Sequence, residues 1–172
     1  MQRVASLILA LVSFVLIPYG LAFAQDATST ATCNFDQDKQ LAVEYHRFTV
    51  NPKKFSFGRD VPYDKIWAPG KKPLTLFTNF PIDVGGTQLA AGAYTMFLIP
   101  ARKQWTLVIS KSSDTSGAYN QQDDLARIPM ESGELPSPES NFSVYFGHVA
   151  PNECSMRVTL ANLGTWVVFQ EK

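Results

Sequence analysis

The sequence predicts an all-β domain, a β-sandwich or jelly roll of about nine mainly antiparallel strands. Two observations carry this expectation. From Cys33 onward, short runs rich in β-branched and aromatic residues are punctuated by proline and glycine. No stretch holds a 3.6-residue apolar period over three turns, so nothing competes with the strand reading.

The elements follow in order. Met1 to Ala24 has Arg3 as its only charge, an apolar run from Val4 to Ile17, and Ala22-Phe23-Ala24 as an alanine-x-alanine cleavage site before Gln25. That is the pattern of a secretory signal peptide over residues 1–24. Removing it from 172 residues leaves 148, the size of one domain. Residues 25–32 are small and polar and predict a flexible leader, which leaves 33–172 as the domain. Leu41, Val43 and Tyr45 alternate with Ala42, Glu44 and His46, giving one apolar face and an outward His46. Leu74 to Phe80 is a second strand. Ile82 to Val84 enters a hairpin at Gly85-Gly86, where paired glycines accept the positive φ of a tight turn.

Gly92 to Ile99 is nearly continuous in apolar character, as in a strand covered on both faces, and Pro100 stops it. Trp105 to Ser110 follows. Lys111 to Gln122 reads as a long loop. Leu125 to Met130 contains Pro129 and so belongs at a sheet edge; a loop through Ser132, Gly133, Pro136 and Pro138 ends it. Phe142 to Phe146, Met156 to Leu160 and Trp166 to Phe169 complete the set.

Charge and cysteine content bound the function. After the leader peptide is removed, 14 basic and 15 acidic residues give a net charge of −1 with histidines neutral, which excludes a global basic footprint for nucleic acid. No second apolar stretch approaches the ~18 to 20 residues of a membrane span, so the mature chain is expected to be periplasmic or extracellular. Its two cysteines, Cys33 and Cys154, lack a C-x-x-C spacing, and in an oxidising compartment they predict one structural disulfide tying the first strand to a late one.

No Gly-x-Ser-x-Gly elbow, phosphate-binding glycine loop or His-Glu-x-x-His motif is present, so no catalytic residue and no cofactor is assigned. His46 and His148 lie 102 positions apart, and no metal site is expected from that spacing. The candidate ligand-binding residues come from two segments and a strand end. Asn51 to Lys72 carries a balance of +4, and Ser112 to Ala150 one of −5. Both are read first as solvated loops; the sharper reading is an anion-binding patch of Lys71 and Lys72 beside Trp67. Tyr63, Trp67 and Trp105 could present a stacking platform for a sugar ring, against the commoner role of aromatics as core. Asp124 and Arg127 would lie on opposite faces of a regular strand, so a direct pair needs a bend, and a loop-anchoring role for the Arg127 fork is favoured. His148 is placed at a strand end near a loop mouth. Asp123 and Asp124 have no opposing acid at a glycosidase spacing.

Four stretches together resemble a secreted bacterial family catalogued as domain of unknown function 2911. They are Val61-Pro62-Tyr63-Asp64-Lys65-Ile66-Trp67, Gly86 through Ala91 to Pro100, Trp105 to Ile109, and Asp124-Leu125-Ala126-Arg127. Leu135-Pro136-Ser137-Pro138 with Glu139, Asn141, Phe142 and both cysteines resemble a subgroup of it. The resemblance covers nearly the whole mature domain and implies a compact β-rich fold with no established activity. The family's Trp-Arg-x-Gly-Ala-Asn-Glu reads here Trp67-Ala68-Pro69-Gly70-Lys71-Lys72-Pro73, and its late Trp-Glu reads Ala161-Asn162. A lysine pair does not copy an arginine fork.

The sequence therefore points to a secreted or periplasmic, non-catalytic β-sandwich that binds a ligand or an envelope component, either a protein or a glycan. The alternative is a hydrolase of glycan or ester substrates with a site between the 62–72 loop and the 123–127 segment. It requires those two segments to meet around a pocket.

Overall fold

The computed structural model describes residues 28–36, 38–111 and 118–172; the expected signal peptide at 1–24 lies outside them. Among the described residues, ten strands form two antiparallel sheets packed face to face. The first sheet has six strands, in the order β1 (Thr28–Asn34), β2 (Gln40–His46), β3 (Leu74–Thr78), β6 (Gly92–Ile99), β7 (Thr106–Ser110), β8 (Asp124–Pro129). The second has four, in the order β5 (Thr87–Leu89), β4 (Ile82–Val84), β10 (Glu153–Glu171), β9 (Glu131–Ala150).

Alternation decides which side chains meet between the sheets. Leu41, Val43, Leu74, Leu76, Met96, Leu98, Leu107, Ile109 and Ile128 face inward from the first sheet. Ile82, Val84, Phe142, Val144, Met156, Val158, Leu160 and Phe169 oppose them from the second. These residues form one buried cluster. At roughly 1.5 to 3 kcal/mol per large apolar side chain removed from water, that burial is what offsets chain entropy. The β6 strand is buried on both faces over Thr95 to Leu98, as its continuous apolar run predicts, because the ring of Tyr119 lies against Phe97 on the outer side at 5.2 Å.

Two sequence expectations need correcting. Residues 28–32 are not a flexible leader: they are the start of β1, paired from Thr28 with His46 to Asn34 with Gln40. Their polarity misled because β1 is an edge strand, and only Ala31 and Cys33 turn inward. The stretch through Ser132, Gly133, Pro136 and Pro138 is likewise strand and not loop. It is tolerated because β9 is the border of its sheet, where proline's missing N–H costs no ladder bond. Its pairing with β10 absorbs the extra residues by slipping: Thr159 faces Ser143, Ala161 faces Glu139 and Leu163 faces Glu134. Ala161 takes φ +54 at the slip, and the expected strands at Met156–Leu160 and Trp166–Phe169 are one bent strand. The edge assignment of Pro129 is correct, since β8 borders the first sheet.

The β4–β5 hairpin turns on Gly85 and Gly86, both at positive φ. At Gly85 a Cβ would sit 2.7 Å from Ile128 Cγ2, so this turn needs glycine for space as well as for dihedral freedom. The predicted disulfide is present between Cys33 on β1 and Cys154 on β10. It ties one sheet to the other.

Candidate functional site

Residues 47–73 form a strap that crosses one end of the sandwich. It begins by extending the border strand β9: Val50 N–H donates to the Ser140 carbonyl at 2.7 Å and Phe142 N–H to the Phe48 carbonyl at 2.9 Å. It ends in the other sheet, where Trp67 and Leu98 exchange backbone hydrogen bonds at 2.8 and 3.0 Å. Trp67 thus continues the row that β3 leaves after Leu74 pairs with Met96. Its ring turns inward, edge-on to Phe48, Trp105 and Phe142. Trp67 is therefore a plug between the sheets.

Beside this plug lies a cleft of about 350 Å³. Phe55, Phe57, Tyr63 and Trp105 supply its aromatic lining, and Phe57 stands edge-on to Trp105 at 5.1 Å. Arg102, Lys103, Ser132, Glu134 and Asn162 supply polar groups. Tyr63 is held from two sides: Arg102 lies over its ring at 4.9 Å, and Gly58, at φ +92, leaves the space where a Cβ would stand 2.7 Å from Tyr63 Cε2. Asn162 and Ser132 enter because the β9–β10 pairing slips between Ala161 and Leu163.

The seven sequence-chosen residues are dispersed. Tyr63 alone lines this cleft. Lys71 ends a short 3-10 turn at Pro69–Lys71 and Lys72 follows it in extended conformation, bordering a separate hollow with Glu44 and His46. The Trp67 ring is half-buried and packs against other aromatics.

Asp124 and Arg127 do meet, on the outer face of the six-stranded sheet. Ile109 pairs with Ala126 but Ser110 pairs with Asp124, so Leu125 is an extra residue and the bulge brings Asp124 to the Arg127 side. Arg127 Nε donates to Asp124 Oδ2 at 2.8 Å, and Tyr119 O–H donates to the same oxygen at 2.7 Å. Arg127 also donates to the Tyr119 oxygen at 2.5 Å. Partial burial, with the Asp124 carboxylate next, raises the Tyr119 phenol above its ordinary pKa; the Asp124 hydrogen bond raises that of Arg127. The arrangement holds the segment before β8 against Phe97.

His148 is at the opposite end, paired across the ladder with Cys154. Its Nε2 stands 2.9 Å from the Asn34 carbonyl and 3.4 Å from Cys33 Sγ, beside an open hollow lined by Phe35, Asp36 and Val149.

Sequence reasoning missed Phe55, Phe57, Arg102 and Glu134 as cleft residues. Only the strap's aromatic spacing signalled the first two. In the sequence Asn162 stands out solely as a departure from the family pattern, and that departure falls in the cleft.

A family model described as a protein of unknown function, DUF2911, matches residues 26–167, and the chain belongs to that family. No curated protein and no solved structure matches it.

Proposed function

We propose that this member of the family is an exported, non-catalytic binding module of the cell envelope, and that the cleft at Tyr63 takes a polyhydroxylated, glycan-type ligand. The cleft's composition carries the reading. An apolar aromatic lining beside a few convergent polar groups is the usual make-up of a small-molecule site, and aromatic faces suit the C–H faces of sugar rings. Among the lining residues Glu134 is the one carboxylate, whereas glycoside hydrolysis ordinarily uses a pair. Both described histidines lie elsewhere, so Ser56 and Ser132 have no imidazole beside them to act as base.

Export is supported by the buried disulfide, a bond that persists in oxidising compartments. Among the described residues no helix is long and apolar enough to cross a membrane.

The hydrolase alternative requires the 62–72 and 123–127 segments to meet around one pocket. Trp67 faces the space between the sheets, while Arg127 belongs to the outer face with Phe97 and Val108, opposite the inward Ile128. The Trp67 ring and the Arg127 fork therefore stand on opposite faces of the six-stranded sheet, with β6 and β7 between Trp67 and β8.

The test is a thermal-shift and calorimetric screen of the mature chain against soluble glycans and peptidoglycan fragments. A ligand at 100 times its Kd should stabilise the fold by about 2.7 kcal/mol, and Tyr63→Ala and Asn162→Ala should each weaken it at least tenfold. No stabilisation by any glycan, or release of new reducing ends on incubation, overturns the reading.

A further inference from the structure

The end of the sandwich that holds the disulfide also holds an unassigned set of metal ligands. Cys33 Sγ, Cys154 Sγ and a ring nitrogen of His148 all lie within 4.8 Å of one another. They come from three strands, β1, β10 and β9. We propose that reduction of the Cys33–Cys154 bond converts this cluster into a Zn²⁺ site with two thiolates and one imidazole.

The imidazole offers one ring nitrogen to it. The Asn34 carbonyl can only accept, so Nε2, 2.9 Å away, is the nitrogen that donates to it. Nδ1 keeps its lone pair and stands 3.7 Å from Cys154 Sγ. Zinc-bound histidines ordinarily donate their other N–H to such a carbonyl or a carboxylate, which fixes tautomer and ring orientation. In a tetrahedral site with Zn–S of about 2.3 Å and Zn–N of about 2.0 Å, sulfur and nitrogen are roughly 3.6 Å apart; Cys154 Sγ also lies 4.0 Å and Cys33 Sγ 3.4 Å from Nε2, so both freed thiolates must swing toward Nδ1 to complete the site. The Cys33 and Cys154 Cα atoms stand 6.6 Å apart, toward the long end of the range a bridge spans, so side-chain rotation can separate the freed sulfurs. The hollow beside His148, which includes Asp36, leaves a fourth coordination position for water or that carboxylate.

The chemistry balances with an external dithiol as reductant. Two electrons and two protons pass from the dithiol to the Cys33–Cys154 bond, giving two thiols and a cyclic disulfide of the reductant. Zn²⁺ then displaces two thiol protons.

The experiment uses the mature chain reduced by a water-soluble phosphine, which itself becomes the phosphine oxide. Co²⁺ serves as the spectroscopic probe and Zn²⁺ as competitor. The reduced chain should bind one Co²⁺ with a thiolate-to-cobalt charge-transfer band that Zn²⁺ abolishes, and the oxidised chain should bind none. His148→Ala, a change at an exposed position, should keep the near-ultraviolet circular dichroism of the fold and weaken Co²⁺ binding by at least tenfold. Absence of the band, equal affinity in His148→Ala, or loss of the folded dichroism on reduction before metal is added would each overturn the proposal.

Discussion

The two ends of the sandwich solve the same problem by different means. Where two twisted sheets splay apart, something must fill or clamp the gap. At the strap end the gap is filled: Trp67, Trp105, Phe48 and Phe142 meet edge-on or stacked, with ring centres 5.1 to 6.4 Å apart. At the other end it is clamped: one covalent bond joins residues 121 positions apart, with Phe35 and Phe80 packed nearby at 5.0 Å. Ring packing spreads its contribution over many contacts and is indifferent to redox conditions. The clamp concentrates its contribution in one bond, worth about 2 to 4 kcal/mol in typical cases, and answers to a reductant.

The largest perturbation should come from the filled end. Trp105→Ala removes a buried ring from the centre of the cluster and is expected to cost about 3 to 5 kcal/mol by denaturant unfolding. A cost below about 1 kcal/mol would mean that the strap can collapse into the void, and the contrast between the ends would fail. Next, the Cys33→Ser/Cys154→Ser chain should lose about 2 to 4 kcal/mol. Thr159, the partner of Ser143 beside Phe142, lies five positions along β10 from Cys154, or about 17 Å at 3.3 Å per residue. The two losses should therefore add to within roughly 0.5 kcal/mol when combined, and a larger coupling would show that the ends are not independent.

A smaller effect on stability is expected from Tyr63→Ala, under about 1 kcal/mol, because its ring lines the cleft rather than the core; its loss should be read in ligand affinity. The smallest concerns neither end. The folded-state pKa of Tyr119 is raised, so the folded chain holds that proton more tightly than the unfolded one. The linked stability is fully present below about pH 10 and is lost as pH rises through the raised value. Melting curves across this range should show wild type and Tyr119→Phe changing in parallel at neutral pH and diverging only in alkali. Divergence near pH 7 would refute the assignment.

The all-β class, most of the strands, the disulfide and the edge position of Pro129 were legible because each rests on local pattern or on counting. What was not legible depended on register. Thr28 to Thr32 looked like a tail because an edge strand needs few apolar residues. Pro136 and Pro138 looked like a break because the sequence cannot announce that β9 is a border. The pairing of Asp124 with Arg127 depended on a bulge at Leu125, and strict alternation separated them. The cleft was only partly readable: Tyr63 and Trp105 were named, but Asn162 and Ser132 reach it through a slipped ladder. His148 and the cysteines were read singly, since residues 115 and 6 positions away become neighbours only through the sheet pairing.

The border prolines bear on how this molecule behaves among its own copies. A sheet that ends in an unpaired backbone is a template on which a foreign strand can grow. Here Pro129 interrupts one border and Pro136 and Pro138 another, while β5 offers only three residues at the third. The fourth, β1, has its Asn34 carbonyl engaged by His148. On β9 the strap already covers Ser140 to Phe142, and replacing the exposed Pro136 and Pro138 by valine should open the uncovered stretch before it to strand addition without touching the core.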